Sequence, residues 1–172
     1  AEFLAQHYKD RRRPLQHYVF GFADKLARWG SLAPGLTNAT LNGPLTSSLI
    51  KRIAGVANER NFPKLAAKSY VKTHVHAGET NGREAHLDRP QVVVLWPDTW
   101  NNYYHPQSLA AAESLLTEAG FRVEIPKSHI CCGRPLYDFG LLNQARAYLA
   151  VVLKRMAPHI EAGLPVLFLE PS

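Results

Sequence analysis

The sequence predicts an α/β fold, a small parallel three-layer sheet preceded by an N-terminal helical segment. Three observations carry that expectation. Val92-Val93-Val94-Leu95-Trp96 is a continuous apolar run after Pro90, the pattern of a strand buried on both faces. The apolar residues that follow Pro106 recur at helical spacing up to Gly120, and Phe121 to Ile125 then alternates as a second strand, which together make a βαβ unit. Before residue 73 the apolar positions follow helical spacing instead. The expected organisation is a helical segment over 1–72, a linker over 73–90 and an α/β domain over 91–172.

In order along the chain, Val19, Phe20, Phe22, Ala23, Leu26, Ala27 and Trp29 predict one amphipathic helix from about Leu15 to Leu32, ended by Gly30 and Pro34-Gly35. Gly43-Pro44 starts a second, with Leu45, Leu49, Ile50 and Ile53 on one face and Lys51 and Arg52 pointing away. So small a helical pair cannot bury both its faces, so packing against a neighbouring domain is expected, with a membrane surface as the alternative. Pro63 to Ser69 reads as a short final helix. Thr73 to Arg89 has almost no apolar periodicity and reads as a linker whose His74 and His76 are surface residues. In the α/β domain, Leu109, Ala110, Ala112, Leu115, Leu116 and Ala119 line the helix after Pro106. A long helix from Asp138 to Ala162 is expected, with Asp138 as N-cap and an apolar stripe that includes Leu141, Tyr148, Val152 and Met156. Leu164 to Leu169 gives the third strand. Parallel strands bring Thr99, Tyr104, the cysteine loop and Glu170 to one sheet edge, where open α/β sheets place their sites.

With 46% hydrophobic residues, the 172-residue chain has enough apolar content for one sizeable core, which excludes disordered and fibrous classes. Its net charge of +6 divides into +7 over residues 1–90 and −1 over 91–172. Lys9, Arg11, Arg12 and Arg13 are the densest basic cluster. No nucleic-acid motif surrounds them, so nucleic acid is not the expected partner; an acidic surface of another domain is. No apolar run reaches the roughly 20 residues that span a bilayer. Two cysteines without disulfide-type spacing point to a reducing compartment, hence a cytoplasmic expectation, with peripheral contact at the inner membrane face left open.

Both cysteines stand together in Ser128-His129-Ile130-Cys131-Cys132-Gly133-Arg134-Pro135-Leu136-Tyr137. Adjacent thiols followed by glycine suit a tight loop presenting sulfur, although a vicinal pair cannot complete a tetrahedral site, and two buried small residues at a strand end are the alternative. The run from Cys131 to Gly140, followed by a long helix, resembles the cysteine-rich CCG domain of heterodisulfide reductase, glycolate oxidase and lactate-utilisation iron–sulfur subunits. Val92 to Tyr104 resembles the strand and loop that open that domain. The whole is most similar to the C-terminal end of FAD-linked oxidases related to D-lactate and D-2-hydroxyglutarate dehydrogenases, and Ala1 to about Phe62 resembles the segment after their ferredoxin-like clusters.

The resemblance implies a Rossmann-like half of a CCG domain, a [4Fe-4S] centre and FAD in the full-length family member, and flavin and ferredoxin-like domains as partners. It makes Cys131, Cys132 and Arg134 the candidate catalytic residues, Gly133, Thr99 and Tyr104 the candidate cofactor contacts, and Cys131, Cys132 and His129 the candidate metal ligands, with His105 and Asp98 as further donors. Two departures stand against a filled cluster. Thr99 occupies the position of the family's early cysteine, within Pro97-Asp98-Thr99, and no further cysteine follows the third strand, as expected of a piece of a longer polypeptide. Arg134 has two readings, stabilising a thiolate or a substrate carboxylate, or pairing with Asp138 four residues on. Two functions follow. One is an electron-transfer and thiol-redox module of a 2-hydroxyacid oxidoreductase; the other is a non-catalytic docking domain that has lost its cluster.

Overall fold

The computed structural model describes residues 1–76, 91–126 and 131–170. Its elements in chain order are α1 (Glu2–His7), α2 (Leu15–Gly21), α3 (Ala23–Gly30), α4 (Pro34–Asn42), α5 (Ser47–Ala54) and α6 (Tyr70–His76), then β1 (Val92–Leu95), α7 (Thr99–Tyr103), α8 (Pro106–Glu118) and β2 (Arg122–Glu124), and finally α9 (Arg134–Asp138), α10 (Leu142–Glu161) and β3 (Val166–Leu167). They fall into two compact units, Ala1–Ala67 with Cys132–Val151, and Lys68–Cys131 with Val152–Ser172.

The second unit carries the sheet, and the α/β class holds. Its order is β2-β1-β3. Both pairings are parallel, Val93 opposite Val123 and Val94 opposite Val166. The central strand β1 is buried from Val93 to Leu95, which is why its sequence is a continuous apolar run rather than an alternation. Tyr70, Leu95 and Leu109 form one buried cluster, with Ala112, Val123, Ile125 and Leu167 packed around it. Pro106 opens α8 as the periodicity predicts, but the C-cap is Ala119 and not Gly120, which follows it at φ +90°. Tyr70 of α6 donates its hydroxyl to Glu113 of α8 at 2.6 Å, and burial together with that carboxylate pushes the phenol far above its ordinary range.

The first unit is helical, with several corrections to the expected boundaries. The single helix expected over Leu15 to Leu32 is two, α2 and α3, parted at Phe22 (φ −106°, ψ 26°). Gly21 lies at the break because a side chain there would sit 2.9 Å from Leu141 Cδ1. Pro34 opens α4 rather than ending a helix, its missing N–H costing nothing at a first-turn position. Residues 63–69 are not helical; α6 begins at Tyr70 and takes in Thr73 to His76, the start of the expected linker. The rest of that linker, with His86, lies outside the described residues. The long C-terminal helix begins at Leu142, not Asp138, because Asp138 ends the separate helix α9.

The direction of α5 also differs from expectation. Lys51 is buried, 7% exposed, and its Nζ donates to Asn58 O at 2.9 Å. Leu45, Leu49 and Ile53, the face expected to meet a neighbouring domain, are exposed. Arg13 is likewise not a free surface cation: its guanidinium donates to the carbonyls of Phe139 and Gly140 and lies over the Tyr8 ring.

Candidate functional site

At the C-terminal end of β1 the chain passes through Trp96 and Pro97 to Asp98, the N-cap of α7. Asp98 Oδ1 accepts from the backbone N–H groups of Trp100 (2.9 Å) and Asn101 (3.0 Å), while Oδ2 accepts from Asn101 Nδ2 at 2.7 Å. A carboxylate suits that position because the first amides of a helix have no intrahelical acceptor. Asp98 is thus committed to the helix start, and Thr99 is buried just after it. Asn101 and Asn102 are buried helical residues. Asn102 Oδ1 accepts from Val71 N at 2.9 Å, and its Nδ2 finds no acceptor among the described residues.

Tyr104 caps the end of α7, and burial raises its phenol above the ordinary value. His105, next in sequence, is exposed. The end of β3 lies near the same loop, with the Phe168 and Trp96 rings 5.0 Å apart. Of the edge convergence expected of parallel strands, this brings together the ends of β1 and β3. His129, named as a metal ligand on sequence grounds, lies outside the described residues.

The two cysteines differ in environment: Cys131 is buried and Cys132 exposed, and both are thiols. Cys131 belongs to the second unit, with Thr99 and Tyr104, and Cys132, Gly133 and Arg134 to the first. Gly133 takes φ +78°, ψ 1° as N-cap of α9, a left-handed backbone that a side chain disfavours. A Cβ there would also meet Tyr148 Cδ1 at 3.3 Å. The Tyr148 ring is fixed from its other end, where its hydroxyl donates to the buried carboxylate of Asp24. Glycine after the cysteine pair is therefore favoured by both backbone angle and space.

Arg134 Nε donates to both carboxylate oxygens of Asp138, at 2.9 and 3.0 Å, on an exposed turn of helix. That carboxylate raises the guanidinium's proton affinity, and the nearby Cys132 adds to the effect. Of the two readings of Arg134, the surface pair with Asp138 is the one present.

The donor set decides what the site can hold. A [4Fe-4S] cluster of the usual kind takes four thiolates, and the chain has two cysteines. Among the described residues no three His, Cys, Asp or Glu side chains converge on a point where a metal ion could sit. The residues present do not fit the cluster, and Thr99 supplies no thiolate. No glycine-rich turn for a flavin pyrophosphate occurs in the sequence either. The chemistry within reach of these residues is that of an exposed thiol with a second thiol next to it.

Comparison of the chain with protein-family models, curated proteins and solved structures finds no match. What stands is a class, a small parallel α/β unit joined to a helical unit. Among the described residues no helix is long and apolar enough to cross a membrane.

Proposed function

We propose that the chain is an electron-transfer module working by thiol redox chemistry, within an FAD- and iron–sulfur-dependent oxidoreductase acting on a 2-hydroxy acid such as D-lactate or D-2-hydroxyglutarate. The observation that carries this reading is the pairing of an exposed Cys132 with a buried Cys131 on a turn that favours glycine. The enzyme class rests on the resemblance of Cys131 to Gly140 to CCG domains. Flavin and cluster belong, in this reading, to other regions of the enzyme, and the flavin oxidises the substrate there.

Cys132 acts as the attacking thiolate, since it is accessible and has a guanidinium of favourable charge beside it. It attacks a disulfide of the partner region, releasing one partner thiolate and forming a mixed disulfide. Cys131 then displaces the second partner thiolate, leaving a vicinal disulfide in this chain. Two protons and two electrons leave the chain's dithiol, and the partner disulfide gains them. A disulfide between adjacent residues is strained and readily reduced, which suits a carrier that must return its oxidising equivalents.

In the full-length enzyme, Cys131→Ser and Cys132→Ser leave reduction of the flavin by the 2-hydroxy acid intact and abolish electron delivery to the acceptor. Unchanged delivery would sink the proposal. The second reading, a docking domain without redox chemistry, draws on the outward apolar faces of α3 and α5; it requires the cysteine variants to turn over normally.

A further inference from the structure

Two helices of the first unit are turned opposite to their sequence amphipathicity. In α3 the buried positions are Asp24 and Ala27, and the exposed ones include Leu26 and Trp29, three residues apart on one face. In α5 the buried positions are Lys51 and Ala54, and Leu49 and Ile53, four apart, face solvent. Leu32, Leu36 and Leu45 continue the exposed apolar series between them, Leu45 at 93% exposure and Trp29 at 66%.

Polar pins hold this orientation. Asp24 is bonded by Tyr148 and Lys51 by the Asn58 carbonyl. The three helices are also joined in succession: Thr37 Oγ1 donates to Gly30 O at 3.0 Å, Thr46 Oγ1 donates to Thr40 O, and Asn38 exchanges two 2.8 Å bonds with the backbone of Leu65. Turning the leucines inward would strip buried charges of these partners, so the apolar residues stay outside.

The charge around them is of one sign. From Lys25 to Asn58 the sequence contains no Asp or Glu, and Lys25, Arg28 and Arg52 are exposed. We propose that the outward residues of α3, α4 and α5 are a docking surface for a protein partner whose contact face is apolar at its centre and carboxylate-rich at its rim. Trp and Arg beside aliphatic side chains match the composition of protein interfaces. A second copy of the chain is disfavoured because it would bring the same three cations against one another. An anionic bilayer is disfavoured because lipid-binding clusters carry about four to eight basic residues, and Lys25 is already over the Phe22 ring at 4.8 Å. The inference stands independently of the redox reading, because it uses neither cysteine.

The test is site-specific photocrosslinking in the natural full-length protein within its source cells, with p-benzoylphenylalanine replacing Leu36 or Leu49 and, as control, exposed Arg146. The proposal expects both test positions to crosslink to the same protein region, a separate chain or another part of the same polypeptide, through a peptide rich in Asp or Glu. With that peptide in hand, Leu49→Asp weakens binding about tenfold and Arg52→Glu about fivefold. Products joining two copies of this chain, adducts to lipid only, no product beyond the control, a contact peptide without acidic residues, or binding indifferent to both substitutions would each overturn it.

Discussion

Replacing Gly133 by alanine probes the turn on which the thiol site depends. The cost has two sources. Holding a non-glycine residue in the left-handed region costs about 1–2 kcal/mol. The added Cβ would lie 3.3 Å from Tyr148 Cδ1, and that ring cannot easily retreat because its hydroxyl is bonded to buried Asp24. Gly163 supplies the comparison, with φ +67° and no atom within 4 Å of a built Cβ, so Gly163→Ala carries the backbone cost alone. Gly133→Ala is expected to cost about 2 kcal/mol or slightly more and Gly163→Ala about 1 kcal/mol. With a urea slope of about 2 kcal/mol per molar, the difference lowers the midpoint of the Gly133 variant by roughly a further 0.5 M. Urea unfolding followed by far-ultraviolet circular dichroism reads both. Tyr148→Ala in the Gly133→Ala background should recover the contact part, a coupling that a double-mutant cycle isolates. Equal stability of the two glycine variants, or no coupling to Tyr148, would refute the reasoning.

Three further outcomes follow from the same structure. Arg13→Ala removes two carbonyl hydrogen bonds and the stacking on Tyr8 and should cost about 1–3 kcal/mol by thermal unfolding, whereas Arg11→Ala and Arg12→Ala, on exposed residues, stay within about 0.5 kcal/mol. Lys51→Ala removes a buried side chain and its bond to the Asn58 carbonyl and should cost about 1–3 kcal/mol by urea unfolding; Arg52→Ala should be near neutral in stability. His17 is buried between Tyr8 and Phe139, and desolvation, then the Arg13 charge, lowers its pKa below the ordinary value. Because the unfolded chain then binds the proton more tightly, His17's contribution is constant above about pH 6.5 and is lost as the pH falls below it. His17→Gln should reduce the slope of melting temperature against pH between about 5 and 6.5; an unchanged slope would contradict the assignment.

The sheet was legible because burial writes itself into strands. β1 is enclosed on both faces and so reads as Val92 to Leu95 without interruption, and Pro106 and Gly120 bracket α8 through local backbone preferences alone. The helical unit was less legible because periodicity shows that a helix has an apolar face without showing which way it points. In α5, Lys51 turns inward because the Asn58 carbonyl meets its ammonium, a partner that no helical pattern encodes. Gly21, just before the break at Phe22, is approached closely by Leu136 and Leu141 from far along the sequence, a contact the local pattern does not encode. Asp138 carries the signature of an N-cap, yet Arg134 pairs with it and α10 begins later.

The site was legible in part. Adjacent cysteines followed by glycine announce a tight turn, and Gly133 is in the left-handed region. The burial of Cys131 beside an exposed Cys132 is a tertiary outcome that the dipeptide cannot reveal. The same holds for Tyr148 and Asp24, which support the turn from α10 and α3, and for Asn102, whose role is to bond Val71 of α6. Each depends on a contact between distant segments.

The most direct test of the proposed thiol chemistry is the redox state of the Cys131-Cys132 peptide in the proposed 2-hydroxyacid oxidoreductase under turnover. Samples are quenched anaerobically in acid, alkylated, and analysed by mass spectrometry with and without 2-hydroxy acid and acceptor. The account predicts that both thiols alkylate in one steady state and that a vicinal disulfide protects them in the other, the exchange disappearing in Cys132→Ser. A pair that remains fully alkylatable in every state, while electrons still reach the acceptor, would contradict it.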